Sequence, residues 1–291
     1  RTLQIVSSIL RIILQTNQGF YKMNYFNVVL KNEENVTIKI AIFAPEMTTQ
    51  KKVTPYKDST LNKKEQVEQM FDTISNKYDN LNRVISLGTD LKWRRKVLQM
   101  AKKHNPDSIL DVATGTGDLA IQFAKHIAAK KIVGFDLSEG MLSMARKKVH
   151  QTPLEAKVDF IKGDGEAMPF KNNSFDVVTV SFGVRNFETL EKGLSEILRV
   201  LKKGGLFIIL ETSVPEKFPF KQGYHIYSKN ILPLVGTLFS KDKVAYNYLS
   251  ESASVFPHGE ALNNILRKTG FIEVQHTPQT FGVATIYSAT K

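Results

Sequence analysis

The stretch SILDVATGTGDLAIQFAKHIAAKKIVGFD, Ser108 to Asp136, holds two apolar runs joined through a glycine-rich turn and a helical pattern. Ser108–Val112 reads as a buried strand, a helix starts near Asp118, and Lys131–Phe135 reads as a second strand ending on Asp136. That is half of a nucleotide-binding βαβ unit. A side chain at Gly115 or Gly117 would fill the space a ligand needs to approach the backbone. Asp136, 19 positions beyond Gly117, sits where a carboxylate accepts from both hydroxyls of a ribose. A dinucleotide site needs G-x-G-x-x-G and a helix N-terminus facing a pyrophosphate; here the run is Gly115-Thr116-Gly117-Asp118-Leu119-Ala120. Asp118 sets a negative charge where a phosphate would lie, which suits a cationic or zwitterionic ligand. A tight turn without a ligand is the alternative reading.

The chain has 291 residues, 42% of them hydrophobic, enough for one large α/β domain with additions. It contains no uncharged apolar run long enough to cross a bilayer. Cysteine is absent, which excludes disulfides, thiolate metal sites and a cysteine nucleophile. A net charge of +12 is compatible with nucleic acid or an anionic membrane, but the lysine pairs are scattered over helix ends and loops and read as a solvated surface. Residues 1–60 are expected to be an extension, disordered or non-native upstream of Met47, and residues 61–291 the catalytic domain. Ile5–Leu14 is apolar and residues 1–32 lack acids, yet only Arg1 and Arg11 supply the arginine of a transit peptide. A start at Met47, leaving 245 residues, is the favoured expectation; a mitochondrial transit segment is the alternative.

Further along, a helix is expected over Asn62–Asn80 from the spacing of Val67, Met70, Phe71, Ile74 and Tyr78, and another over Asp90–His104. Two helices ahead of the first strand form a natural lid. Ser138 caps a helix to Val149. A strand over Lys157–Lys162 leads to Asp164 and Gly165, placed for an adenine in a doubly wound sheet, or for a plain turn. A strand over Ser174–Phe182 ends on Ser181, with Arg185 and Asn186 just beyond, where open α/β sheets bind ligands. A helix over Glu188–Leu201 and a strand over Leu206–Glu211 follow, Glu211 at the strand tip. Pro215–Pro257 reads as two or three helices, a core element or an apolar cap. A last helix (Gly259–Thr269) and two alternating segments, Phe271–His276 and Phe281–Ser288, complete an antiparallel sheet edge. No metal-spaced histidines and no Ser-His-Asp set occur.

The D-x-A-T-G-T-G-D run with its strand-end acid resembles motif I of the class I S-adenosylmethionine (SAM) methyltransferases. KYDNLNRVISLGTDLKWRR (Lys77–Arg95), SFGVRNF (Ser181–Phe187), RVLKKGGLFIILETSVP (Arg199–Pro215) and YNYLSESASVFP (Tyr246–Pro257) resemble one subfamily, the menaquinone/ubiquinone biosynthesis C-methyltransferases of UbiE type. The likeness spans Val67 to the C-terminus. Lys203 stands where the family has proline, Thr212 where it has phenylalanine, and Asp90-Leu91 where it has histidine-arginine, all peripheral to the cofactor; residues 1–46 match nothing in it. The resemblance implies an α/β fold, a Rossmann-like seven-stranded sheet with helices on both faces, and a helical cap from residues 61–104 and 215–257. It implies SAM held by Asp111, Gly115, Thr116, Gly117, Asp136, Asp164, Gly165 and Ser181, with Arg185 and Asn186 as the polar pair beside the methyl-transfer position.

The implied reaction is C-methylation of a polyprenyl hydroquinol, demethylmenaquinol in preference to the ubiquinone-pathway benzoquinol. Arg185 would stabilise developing phenolate charge and Asn186 orient a hydroxyl or water. His225, Tyr227 or a held water are the candidate bases. The implied partners are the quinol, whose tail needs an apolar groove along Pro215–Phe256, a peripheral contact with an anionic membrane, and a second copy of the chain in a homodimer. The location implied is cytoplasmic, at the inner membrane face. Nucleic acid is not expected, because neither an added RNA-binding module nor an N/D-P-P-Y/F motif is present. The rival readings are a methyltransferase of another small molecule, a nucleic-acid binder or RNA methyltransferase suggested by the basic charge, and a binding module with an inactive cofactor site.

Overall fold

The computed structural model describes residues 22–31, 37–46, 53–227 and 243–291. The chain divides into two units, residues 1–52 and Val53–Lys291. In the first, β1 (Lys22–Lys31) and β2 (Thr37–Glu46) pair antiparallel, with Lys22 opposite Glu46 and Lys31 opposite Thr37. The sequence reading assigns residues 1–60 no secondary structure, and here the structure differs. Ile38, Ile40 and Ile42 recur at period two, which is a strand signal. Ile5–Leu14 and Met47 lie outside the described residues.

The second unit begins with Val53, buried in the domain. Helix α1 (Lys63–Ile74) opens on a capping box in which Asn62 Oδ1 accepts from Glu65 N–H and the Glu65 carboxylate accepts from Asn62 N–H. A single helix to Asn80 does not form. A 3₁₀ turn at Ser75–Lys77 intervenes before α2 (Tyr78–Ile85), where Ser75 Oγ donates back to Asp72 O. Helix α3 (Asp90–Lys103) follows.

Then come β3 (Ser108–Val112), α4 (Asp118–His126), β4 (Lys131–Asp136), α5 (Glu139–Val149), β5 (Asp159–Lys162), β6 (Phe175–Ser181) and α6 (Leu190–Val200). Ser138 caps α5 as expected, accepting from Met141 N–H at 3.1 Å. Strand β7 (Leu201–Thr212) starts five residues before the expected Leu206. Leu201 pairs with Phe175, residues 202–205 bulge outward with Gly204 at φ +72°, and pairing resumes at Val177–Leu206. In the cap, α7 (Phe220–Ile226) and α8 (Lys243–Val255) are described; the expected helical content between them lies outside the described residues. Helix α9 (Glu260–Thr269), β8 (Ile272–Gln279) and β9 (Ala284–Thr290) finish the chain.

Seven strands form one sheet in the order β5-β4-β3-β6-β7-β9-β8, parallel except for β9, which runs against both neighbours. Alternation sorts the core onto two faces. Leu110, Val112, Val178 and Ile209 meet α6 and α9 through Leu194, Ile197, Leu262 and Leu266. Ile109, Val177 and Ile208 meet α3 and α4 through Trp93, Val97, Leu119 and Phe123. A third cluster joins α1, α5 and α8 through Val67, Met70, Ile74, Met141 and Tyr248, above the sheet's carboxyl edge. Met141 belongs to this cluster and also borders the crevice described below.

Candidate functional site

Strand order reverses between β3 and β6, and an open crevice lies there, at the strands' C-terminal ends. Both strands leave the sheet with a non-glycine residue in the left-handed region, Ala113 at φ +52° and Phe182 at φ +58°. Such backbone persists only where its surroundings enforce it, and both residues line the crevice. A Cβ at Gly183 would meet the Ala113 Cβ at 2.4 Å, so the two exits fit only with glycine there.

Of the expected site residues, Gly115, Asp136, Asp164, Gly165, Ser181 and Asn186 line this crevice. Asp136 anchors one end. Its Oδ2 accepts from Gly115 N–H at 2.7 Å and its Oδ1 from Ser138 N–H at 2.9 Å, which fixes the carboxylate and leaves lone pairs free for a diol. Burial pushes its pKa up to about 6, partly offset by those two amides.

Asp111, Thr116, Gly117 and Arg185 are not on the crevice wall. Both Asp111 oxygens take hydroxyls at 2.6 Å, Thr114 on one and Thr179 on the other, so this acid ties the glycine turn to β6. The Thr116 hydroxyl donates to Asp79 Oδ1 at 2.5 Å and accepts from Lys148 Nζ at 2.8 Å. Gly117, at φ +77°, keeps the turn against α5, because a Cβ there would meet Phe160 at 2.8 Å and Ala145 at 2.9 Å. Asp118 requires a different account from the one its charge suggests. It is paired with Arg83 at 2.9 Å and Lys148 at 2.7 Å, and despite burial Arg94, Lys148 and Arg83 hold its pKa below the usual carboxylate range. Its charge is neutralised by the helices above rather than presented to a ligand.

At the opposite end, Asp164 Oδ1 accepts from Glu166 N–H at 2.8 Å and Oδ2 pairs with Lys64 of α1 at 3.1 Å. Glu166 in turn accepts from Glu188 and Thr189 N–H at 2.6 and 3.0 Å, serving as the cap α6 lacks in its own N-cap residue. Of the two helices expected to form a lid, α1 puts Lys64, Val67, Glu68 and Phe71 on the crevice wall, whereas α3 puts no residue there and packs on the sheet through Trp93 and Val97. Lys63 Nζ donates to the carbonyls of Arg185 and Phe187, and Asp72 accepts from the Ser138 hydroxyl and Gly140 N–H. Lys64 and Phe71 carry no sequence signal for this role, since a helix's lysine and phenylalanine read as surface and core.

Beyond β6 the arrangement changes. Arg185 is buried: its Nη1 donates to Phe182 O at 2.7 Å and to Glu211 Oε1 at 2.6 Å. Burial opposes the guanidinium's charge, the Glu211 carboxylate outweighs it, and the pKa rises. Asn186 Oδ1 accepts from the Tyr248 hydroxyl at 3.1 Å. Ser181 Oγ, Arg185 Nε and Glu211 Oε2 are buried without a hydrogen-bond partner. Neither expected base reaches the crevice wall: Tyr227 donates to Ile85 O at 2.6 Å, and the His225 side chain is exposed. Sequence reading passes over Glu211 as a participant, although its place at a strand tip was a usable signal. Among the described residues, no acid or histidine cluster could hold a metal and no helix is long and apolar enough to cross a membrane.

Demethylmenaquinone methyltransferase of Bacteroides fragilis is 48% identical over 242 residues, 83% of this chain and 98% of that protein. The ubiquinone/menaquinone biosynthesis C-methyltransferase UbiE of Geobacter sulfurreducens is 41% identical over 242 residues, 83% and 93% of the two chains. In fold, the chain is similar to a SAM-dependent methyltransferase from Thermotoga maritima described as a possible histamine N-methyltransferase, with TM-score 0.56 and 22% identity over 77% of this chain and 99% of that one. The ubiE/COQ5 methyltransferase family profile matches residues 59–291, and the chain belongs to that family.

Proposed function

We propose that the chain methylates a ring carbon of a polyprenyl hydroquinol with SAM, and that the substrate is demethylmenaquinol. The observation that carries the cofactor is Asp136, whose fixed, half-buried carboxylate retains acceptor capacity for a ribose diol beside Gly115. The unpartnered Ser181 Oγ at the same crevice fits a further polar group of such a ligand. When bound, SAM supplies an electrophilic methyl group on a sulfonium. The chain's own contribution is to align the two reactants, which removes a large part of the barrier, and to hold a charged guanidinium where phenolate charge develops. Relatives named demethylmenaquinone methyltransferase, matched over nearly their whole length, support the head group. A relative named for both quinone pathways keeps the benzoquinol as a second reading.

The quinol's tail would follow the apolar cap segment Pro215–Phe256, part of which lies outside the described residues. The exposed Phe218 and Ile226 favour a lipid surface beside that segment. Bacterial relatives favour the cytoplasmic face over a mitochondrial matrix. The test is transfer from labelled SAM to each quinol under reducing conditions. Methylation of demethylmenaquinol, lost in Arg185→Ala while SAM still binds, is the expected result. SAM binding with transfer to neither head group overturns the substrate and leaves the cofactor reading in place.

A further inference from the structure

Of the polar pair that follows β6, Asn186 lines the crevice and Arg185 does not. What Asn186 can do there depends on which end of its amide faces inward, and a residue outside the crevice wall decides that. Tyr248, on α8 of the cap, donates its hydroxyl hydrogen to Asn186 Oδ1 at 3.1 Å. Burial pushes the Tyr248 pKa up to about 12, so the hydroxyl keeps its hydrogen throughout the neutral range. Tyr248 is 2% exposed and belongs to the cluster with Val67, Met70, Ile74 and Met141, which holds the ring in place.

The other end of the amide is fixed by exclusion. Nδ2 faces the Phe182 carbonyl at 3.5 Å, an oxygen that already accepts from Arg185 Nη1 at 2.7 Å. Turning the amide over would set Oδ1 against that carbonyl, acceptor against acceptor, and would take the Tyr248 hydrogen's acceptor away. Only one orientation satisfies both neighbours. Nδ2 carries two hydrogens; the long contact to Phe182 engages one weakly, and among the described residues the second has no partner. Phe182 is itself a wall residue, so Asn186 offers the crevice a donor and turns its acceptor to the cap.

A donor at this place fits a ligand oxygen, and most strongly one that carries negative charge. Two such oxygens belong to the reactants, a ring oxygen of the acceptor and the carboxylate of SAM. We propose that Tyr248 is a positioning residue, which holds the Asn186 amide so that Nδ2 donates to a ring oxygen of the methyl acceptor. The inference rests on the quinol reading above. A tyrosine that only packs α8 against α1 and α5 is the competing account.

The test uses the full chain with SAM and reduced short-tailed demethylmenaquinol, and reads kcat together with SAM affinity by calorimetry. Tyr248→Phe keeps the ring and should lower kcat about three- to tenfold, the usual worth of one hydrogen bond, with SAM affinity changed by less than about twofold. Asn186→Ala should lower kcat about 10²-fold, the usual worth of a donor aimed at an oxyanion. If Tyr248 acts through Asn186, then Tyr248→Phe in the Asn186→Ala background should cost less than about twofold more in kcat. A kcat loss from Tyr248→Phe that is the same in both backgrounds overturns the positioning role. Near wild-type kcat in Asn186→Asp also overturns it, because aspartate accepts from Tyr248 and has no hydrogen to donate; this variant serves even if Tyr248→Phe does not fold. Weakened SAM binding in Asn186→Ala with kcat unchanged gives the donor to the cofactor's carboxylate and overturns the assignment to the ring oxygen. A wild-type chain that methylates no quinol overturns function and inference together, a result distinct from an active wild type whose two substitutions are additive.

Discussion

Two acids at the carboxyl edge of the sheet, Asp111 on β3 and Glu211 on β7, are equally buried at 1% exposure, yet the two halves of the edge use them in opposite ways. Asp111 is closed on itself, each oxygen filled by a threonine hydroxyl at 2.6 Å. Glu211 gathers an arginine and both Thr212 donors on one oxygen and leaves the other empty. The β3 side is a finished scaffold that fixes the glycine turn. The β7 side holds open valences. Burial alone therefore does not tell the two acids apart; the filling of their oxygens does.

The strongest way to break this contrast is through stability. Glu211→Ala leaves the Arg185 guanidinium buried and uncompensated, and should cost about 3–5 kcal/mol in urea denaturation. The double variant Arg185→Met/Glu211→Met removes both charges and should recover most of that loss. Asp111→Ala removes an acceptor from two neutral hydroxyls and from the Ala120 N–H and should cost about 1.5–3 kcal/mol. A double variant no more stable than Glu211→Ala would mean that the pair is held for packing rather than for its charges.

How much of this was legible in the sequence follows the same division. The βαβ unit at Ser108–Asp136, the Ser138 cap and the antiparallel edge could be read because each rests on local spacing, period two or 3.6, or a capping side chain. Asp136 was legible because a strand tip after a glycine turn defines its role by position. Asp111 and Glu211 were not separable, since both are strand-end acids and the difference lies in which side chains arrive from Thr114, Thr179 and Arg185, residues 3 to 68 positions away. Asp118 misled for the same reason: the cations that neutralise it come from α2, α3 and α5, distant in sequence. The strand pair at residues 22–46 was legible in the period-two recurrence of Ile38, Ile40 and Ile42.

A pH experiment sharpens the comparison on the β4 side. Burial raises Asp136 to about 6 in the folded chain, above the ordinary 3.8, so the folded state favours the protonated form. The stability this contributes is present below about pH 4 and lost as pH rises through about 6. A ribose diol donates to the carboxylate, so binding favours the ionised form. SAM affinity should fall about tenfold per pH unit below about 6 and level off above it, whereas Asp136→Asn should bind weakly with no such inflection. An identical inflection in both proteins, measured by calorimetry, would move the titration to the ligand and away from Asp136.

The smallest effect concerns the lid. Lys64 of α1 pairs with Asp164 at 3.1 Å, but its side chain is 40% exposed, so solvent screens the attraction. Glu68 and Lys162, 2.7 Å apart, are in the same position, with side-chain exposures of 30% and 47%. Asp72 differs: it accepts from a hydroxyl and a backbone N–H at the start of α5, a helix-end contact that depends little on free charge. Lys64→Met should therefore weaken SAM binding by less than about 1 kcal/mol, and that difference should vanish near 1 M salt as the Debye length shrinks to about 3 Å. Asp72→Ala should weaken binding at low and high salt alike. If Lys64→Met instead proves the larger and salt-resistant effect, α1 is held down at its Asp164 end, and the lid hinges at the 3₁₀ turn beside α5 rather than at its capped N-terminus.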